Sequence, residues 1–166
     1  MKFAGLNEND FTNAFNNISV SFWTQGCPHH CKGCHNKETW DYHGGYELPD
    51  NYIDKIIDSI HKNDIHRDLS ILGGEPLCDN NYTVVYNLVK GVKEFDSSTK
   101  IIVWSGYLYE DLCHSYKNEI LKYIDILIDG VFDISKYKRG LYLKGSTNQR
   151  VIDVNNSSFD NVVTIG

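Results

Sequence analysis

The chain has 166 residues, 41% hydrophobic and 23% charged, which suits one globular domain with one core over residues 1–166. Sixteen Lys and Arg against 22 Asp and Glu give a net charge of −6, which argues against a broad nucleic-acid footprint and favours a neutral or basic partner surface. No stretch approaches the roughly 18–20 apolar residues of a membrane span. The opening MKFAGLNEND turns polar too soon for a signal peptide, so the expected compartment is the cytoplasm. There, five cysteines read as metal ligands or catalytic thiols rather than as a disulfide framework.

Residues 18–24 (ISVSFWT) are rich in β-branched and aromatic side chains and predict a first strand. A polar stretch from Gln25 to about Pro49 follows, and a loop of that length in a compact domain is usually functional. Ile53, Ile56, Ile57 and Ile60 recur at i, i+3, i+4 and i+7 and predict a helix over about 50–63. Residues 69–72 form a short strand that ends in Gly73-Gly74. Val85, Leu88, Val89 and Val92 repeat the helical spacing over about 81–95, with Asp79 or Asn80 placed to cap it. Residues 100–104 (KIIVW) predict a third strand, 108–122 a third helix with Tyr109, Leu112, Cys113, Tyr116 and Ile120 on one side, and 124–128 a fourth strand. The tail from Gly140 to Ile165 looks strand-rich.

Strand–helix alternation of this kind implies parallel strands joined by right-handed crossovers. Four units are too few for a closed eight-stranded barrel. The expectation is an α/β fold, a partial (open) β/α barrel of about five or six mostly parallel strands, with a flat doubly wound sheet as the alternative. In either case the C-terminal ends of the strands share one rim, where α/β proteins bind ligands.

Cys27-Pro-His-His-Cys31-Lys-Gly-Cys34 follows the first strand on that rim. At this cysteine content two further cysteines at fixed offsets arise by chance roughly once in a thousand starting cysteines, so the run marks a built site. Thiolates are soft ligands for iron–sulfur clusters or zinc. A fully ligated cluster or structural zinc takes four ligands, and an open position generally marks a catalytic site. A Cys3His zinc module stays open on spacing alone, with His29, His30, His35 or His43 as the fourth ligand.

Gly73-Gly74-Glu75-Pro76, Trp104-Ser105-Gly106-Tyr107 and Asp129-Gly130-Val131-Phe132 close the next three strands. Glycines let a ligand approach the backbone, and Glu75 adds a carboxylate able to hold an ammonium group. Four consecutive strand ends carrying polar or glycine-rich groups weigh more than any one of them. Cys113 shares an apolar helix face and reads as a small buried hydrophobe, and Cys78 is given no role. His61 and His66 read as surface residues, and Lys136, Lys138, Arg139 and Lys144 as a loose basic cluster.

A CX3CX2C run after a first strand, with Gly-Gly-Glu after a second, resembles the radical S-adenosylmethionine superfamily. Within it, the chain is similar to the activases that serve anaerobic ribonucleotide reductases. The residues that carry this are 26–37 with Thr39-Trp40, Gly73-Gly74-Glu75-Pro76-Leu77, Trp104-Ser105-Gly106-Tyr107 with Tyr109-Glu110, Ile128-Asp129-Gly130-Val131-Phe132, Arg139-Gly140, and 145–150 (GSTNQR). Gly33 stands where the wider superfamily commonly has an aromatic residue and the activases often have glycine. Ser105 stands where they often have threonine. The resemblance implies that Cys27, Cys31 and Cys34 bind a [4Fe-4S] cluster whose open iron is chelated by S-adenosyl-L-methionine. It places Gly33, Cys34 and His35 against the adenosyl portion, Gly73, Gly74 and Glu75 at the methionyl ammonium, and Ser105 and Asp129 near ribose or methionine groups. It further implies reductive cleavage to a 5′-deoxyadenosyl radical, with an electron from a low-potential donor such as flavodoxin. That radical would abstract hydrogen from a glycine of the large subunit of anaerobic ribonucleotide reductase. A radical enzyme acting on another substrate is the rival within the superfamily.

Overall fold

The computed structural model describes residues 1–15 and 18–166. Its strands are β1 (Lys2–Asp10), β2 (Ser19–Thr24), β3 (Tyr46–Glu47), β4 (Asp68–Gly73), β5 (Ile101–Trp104), β6 (Ile126–Asp129) and β7 (Arg150–Asp153). Its α-helices are α1 (Tyr52–Ile60), α2 (Asp79–Phe95), α3 (Tyr109–Cys113) and α4 (Asn118–Leu121). The strands form one open mixed sheet in the order β3-β1-β2-β4-β5-β6-β7. β2, β4, β5 and β6 are parallel neighbours, whereas β1 and β7 run antiparallel at the two sides.

Period-2 alternation sends the side chains of the central strands to two different faces. Val20, Phe22, Leu69, Ile71, Ile101, Val103 and Leu127 face the helices and pack with Ile56, Ile60, Val85, Leu88, Val89 and Val92 in the main core. On the other face, Ile102, Ile126, Ile128 and Val151 form a smaller cluster that includes Trp104 and Leu143. Nearer β2 that second face carries Ser21 and Ser70, buried and satisfied by Asp10 Oδ2 at 2.7 Å and the Asn13 carbonyl at 2.6 Å.

The expected strand–helix series is present, but the sheet has seven strands and only its centre is parallel. β1 is missed by pattern because its side chains are half-buried or exposed almost throughout. The expected third helix is two short ones. Between them Ser115 donates to the Leu112 carbonyl and accepts from Lys117 N–H, a local turn that competes with continued helix. Tyr116, expected on the apolar side, is therefore 61% exposed. Neither Asp79 nor Asn80 caps α2; Cys78 is the N-cap residue and makes no side-chain cap bond, while Asp79 pairs with Lys117 at 2.9 Å. The tail holds β7 and isolated bridges rather than a run of strands. Among the described residues no helix is long and apolar enough to cross a membrane.

Candidate functional site

The cysteine loop leaves β2 at Gly26, whose N–H donates to the Thr39 carbonyl at 2.7 Å, and Cys27 N–H donates to the Trp40 carbonyl at 3.2 Å. These bonds close residues 27–38 into a compact lobe above the sheet. The lobe is seated on the β4 turn: Glu75 N–H donates to the Gly26 carbonyl at 2.8 Å, and Asn81 Nδ2 reaches the same carbonyl and that of Glu75. The two turns touch backbone to backbone, since a Cβ on Gly74 would lie 2.3 Å from the Gly26 carbonyl oxygen. Glycine at 74 is thus required by contact.

Cys27, Cys31 and Cys34 line one cavity of about 570 Å³. That volume is within the range that encloses a small-molecule ligand. Its remaining walls are Trp23, Leu72, Gly73 and Gly74, the Trp104–Gly106 turn, and the 130–145 segment. The cavity therefore sits at the C-terminal ends of the parallel strands, on the face away from the helices. Burial pushes the Cys27 thiol up to about 11, against the pull of the His29 and His30 backbone N–H groups. Burial also raises Cys31, opposed by the Phe132 N–H. Asn36 N–H donates to Cys34 Sγ at 3.4 Å. Each of the three sulfurs thus meets backbone N–H donors, which favour a thiolate and tune a cluster bound there.

The structure places the other sequence-predicted residues in two groups. His35, Gly73, Gly74, Glu75 and Ser105 line the cavity with the cysteines. Gly33 and Asp129 are not among its lining residues. Gly33 lies under Ile134, whose side chain would be 2.9 Å from an added Cβ. Asp129 shares the parity of Leu127, so its carboxylate points to the helix side of β6. It is fully buried there and accepts from Tyr109 N–H and from Arg150, its cross-strand partner.

Glu75 is 1% exposed, and its carboxylate is committed. Oε1 accepts from Leu77 N–H at 2.9 Å and Ser105 Oγ at 2.8 Å. Oε2 accepts from Gly106 N–H at 2.6 Å and His29 Nε2 at 2.8 Å. One side chain thereby ties the β4 turn, the β5 turn and the cysteine loop together. His29, one of the possible fourth zinc ligands, is spent on that tie. His30 stacks on Trp40 and His35 packs against Phe132.

Sequence reasoning gave no individual role to Gln149, Arg150 or Trp40. Gln149 Nε2 donates to the Gly130 carbonyl, and its Oε1 accepts from the N–H groups of Gly145 and Ser146, closing the far wall. Only the GSTNQR match signalled it. Arg150 also binds Glu110 through both Nη atoms, at 2.9 and 2.7 Å, and this holds the Glu110 carboxyl down at about 2. A depressed folded value means that the contribution is full above the ordinary carboxylate range and is lost as pH falls toward 2. The stability gap between wild type and Glu110→Gln, read from urea midpoints, should therefore be constant down to about pH 5 and shrink between about pH 4.5 and 2.5. A gap that widens on acidification would contradict the pairing.

The implied cofactors fit this cavity. Three soft donors line it, and among the described residues no cluster of His, Cys, Asp or Glu adds a fourth ligand to them. The Gly73-Gly74 turn brings backbone to the same cavity, and the buried Trp40 indole N–H has no partner among the described residues.

Residues 17–152 match a family model described as a 4Fe-4S single cluster domain. The chain is 37% identical over 130 residues to a Vibrio cholerae protein named anaerobic ribonucleoside-triphosphate reductase-activating protein, covering 78% of this chain and 83% of that one. A protein of the same name from Enterobacteria phage T4 is 35% identical over 142 residues, 86% of this chain and 87% of that one. Its namesake from Escherichia coli K12 is 31% identical over 132 residues, 79% and 85%.

Proposed function

The chain belongs to the family of anaerobic ribonucleoside-triphosphate reductase-activating proteins, and from that premise we propose that it is an activase that installs a glycyl radical on an anaerobic ribonucleotide reductase. The observation that carries the reading is the convergence of Cys27, Cys31 and Cys34 on one cavity that the Gly73-Gly74 turn also lines. The three thiolates would hold a [4Fe-4S] cluster, and the Gly73-Gly74 turn would take S-adenosyl-L-methionine beside it. When bound, the reduced cluster would supply one electron for reductive C–S cleavage of S-adenosyl-L-methionine to methionine and a 5′-deoxyadenosyl radical, the chemistry needed to take a hydrogen atom from a glycine of the reductase. The electron itself comes from a low-potential donor outside the chain, such as a flavodoxin.

The chain's own part is geometry and exclusion of water. Gly73 and Gly74 offer backbone to the methionyl ammonium, and Cys34 and His35 bound the adenosyl side. Glu75 contributes through its backbone, because its carboxylate holds the turns in place. Ser105 is oriented by that carboxylate. Gly33 and Asp129 act as positioning residues, one by letting Ile134 pack against the loop and the other by anchoring Arg150. Trp23, Leu72, Trp104 and Phe132 keep the cavity apolar where a reactive species must be shielded. Read as a partial barrel, the open sheet leaves a side through which a polypeptide loop can enter. The basic residues Lys138, Arg139 and Lys144 line the cavity.

Anaerobic reconstitution with iron and sulfide, followed by dithionite and S-adenosyl-L-methionine, tests the reading. The expected result is a brown protein with about four irons per chain that releases 5′-deoxyadenosine. A colourless protein with stoichiometric zinc and no iron uptake would overturn it.

A further inference from the structure

On the opposite rim of the sheet, three side chains from three elements converge. His61 follows α1, His66 precedes β4, and Asp96 follows α2. One ligand atom from each lies within 4.8 Å of the others. His61 Nε2 is 3.1 Å and His66 Nδ1 is 3.5 Å from Asp96 Oδ2. In a tetrahedral zinc site with bonds of about 2.0–2.1 Å, neighbouring donor atoms stand about 3.3 Å apart. The two separations bracket that value.

The surroundings orient the rings and carboxylate of His61 and Asp96. His61 Nδ1 lies 3.0 Å from the Ile57 carbonyl, which can only accept, so Nδ1 carries a proton. A ring whose other N–H is held by a backbone carbonyl is the usual arrangement of a metal-bound histidine, because it fixes both the tautomer and the ring plane. His61 Nε2 then faces a carboxylate and must carry either a proton or a metal ion. Asp96 is equally well set. Its Oδ1 accepts from Ser98 N–H at 2.9 Å and Ser98 Oγ at 2.6 Å, which turns Oδ2 toward the two rings. These bonds, with that of His61, hold the carboxyl well below its ordinary range, so it is an anion at any working pH.

We propose that His61, His66 and Asp96 form a second metal site, for a zinc-type divalent cation, that clips the ends of α1 and α2 to the start of β4. Two imidazoles and one carboxylate suit zinc, and three protein ligands leave a fourth position for water. The site is remote from the cysteines and does not depend on the activase reading.

The test uses the cluster-loaded full chain, kept anaerobic and equilibrated with buffered Zn²⁺ or with Co²⁺ as a spectroscopic probe. Expected are one divalent ion per chain beyond the iron, visible Co²⁺ bands without thiolate charge transfer, and a thermal midpoint that rises with zinc. In His66→Gln and Asp96→Asn the affinity falls at least tenfold and the zinc-dependent rise disappears, while iron content stays at wild-type level. No extra ion, equal binding by both variants, a thiolate charge-transfer band, or iron lost as zinc enters would each overturn the site. If Asp96→Asn does not fold, His66→Gln carries the test, since that side chain is exposed. Midpoints without added metal show whether either variant is damaged for other reasons.

Discussion

Replacing Cys27, Cys31 or Cys34 singly by alanine is expected to bring bound iron from about four per chain to near zero and to abolish 5′-deoxyadenosine formation. The three sulfurs are the only cysteines among the lining residues, so no other thiol stands ready to substitute. Cys78 and Cys113 make the control. Cys78 is buried at the start of α2, and Cys113 packs partly against the main core. Alanine at either should remove one sulfur atom of packing and leave iron unchanged. Iron and acid-labile sulfide assays on the five variants separate these outcomes. Full iron in Cys31→Ala would break the ligand assignment.

Arg150→Met is expected to destabilise the fold by about 3–5 kcal/mol, the range for removing one partner of a buried ion pair. Asp129 is fully buried, and without the guanidinium it would keep only the Tyr109 N–H. Adding Asp129→Asn to Arg150→Met should recover part of the loss, because the stranded charge disappears while an acceptor for Tyr109 remains. Urea unfolding of the two single variants and the double variant gives the coupling. Additive losses would mean that the pair is not a unit. The same series separates positioning from cofactor contact: Asp129→Asn should shift the unfolding midpoint far more than the affinity for S-adenosyl-L-methionine.

Much of this site was legible from residues because its parts are local. The cysteine spacing, the Gly73-Gly74-Glu75 turn and the Trp104–Gly106 turn each sit within a few residues of a strand whose apolar pattern is plain. Parallel strands then carry their C-terminal ends to one rim without further information. What stayed hidden depends on long-range pairing. Asp129 closes a predicted strand just as Ser105 does, yet alternation turns it to the helix face, where Arg150 waits 21 residues later. Glu75 showed a carboxylate but not the four donors that occupy it, drawn from three separate segments. β1 was hidden because a strand whose side chains are half-buried or exposed almost throughout lacks the hydrophobic alternation that marks a strand in sequence. The third helix looked continuous by spacing, and only the Ser115 turn, a local polar competition, divides it.

The rim opposite the cysteine cavity shows the same limit. His61, His66 and Asp96 are separated by up to 35 residues and carry no motif spacing. They meet because two helix ends and a strand start share one edge of the sheet.

The most direct test of the central claim is electron paramagnetic resonance on the reconstituted protein, mixed under anaerobic conditions with reductant, S-adenosyl-L-methionine and its cognate anaerobic ribonucleotide reductase. The account predicts a glycyl-radical signal on the reductase that needs all components and vanishes with Cys31→Ala. A protein that cleaves S-adenosyl-L-methionine normally yet leaves the reductase without that signal would contradict it.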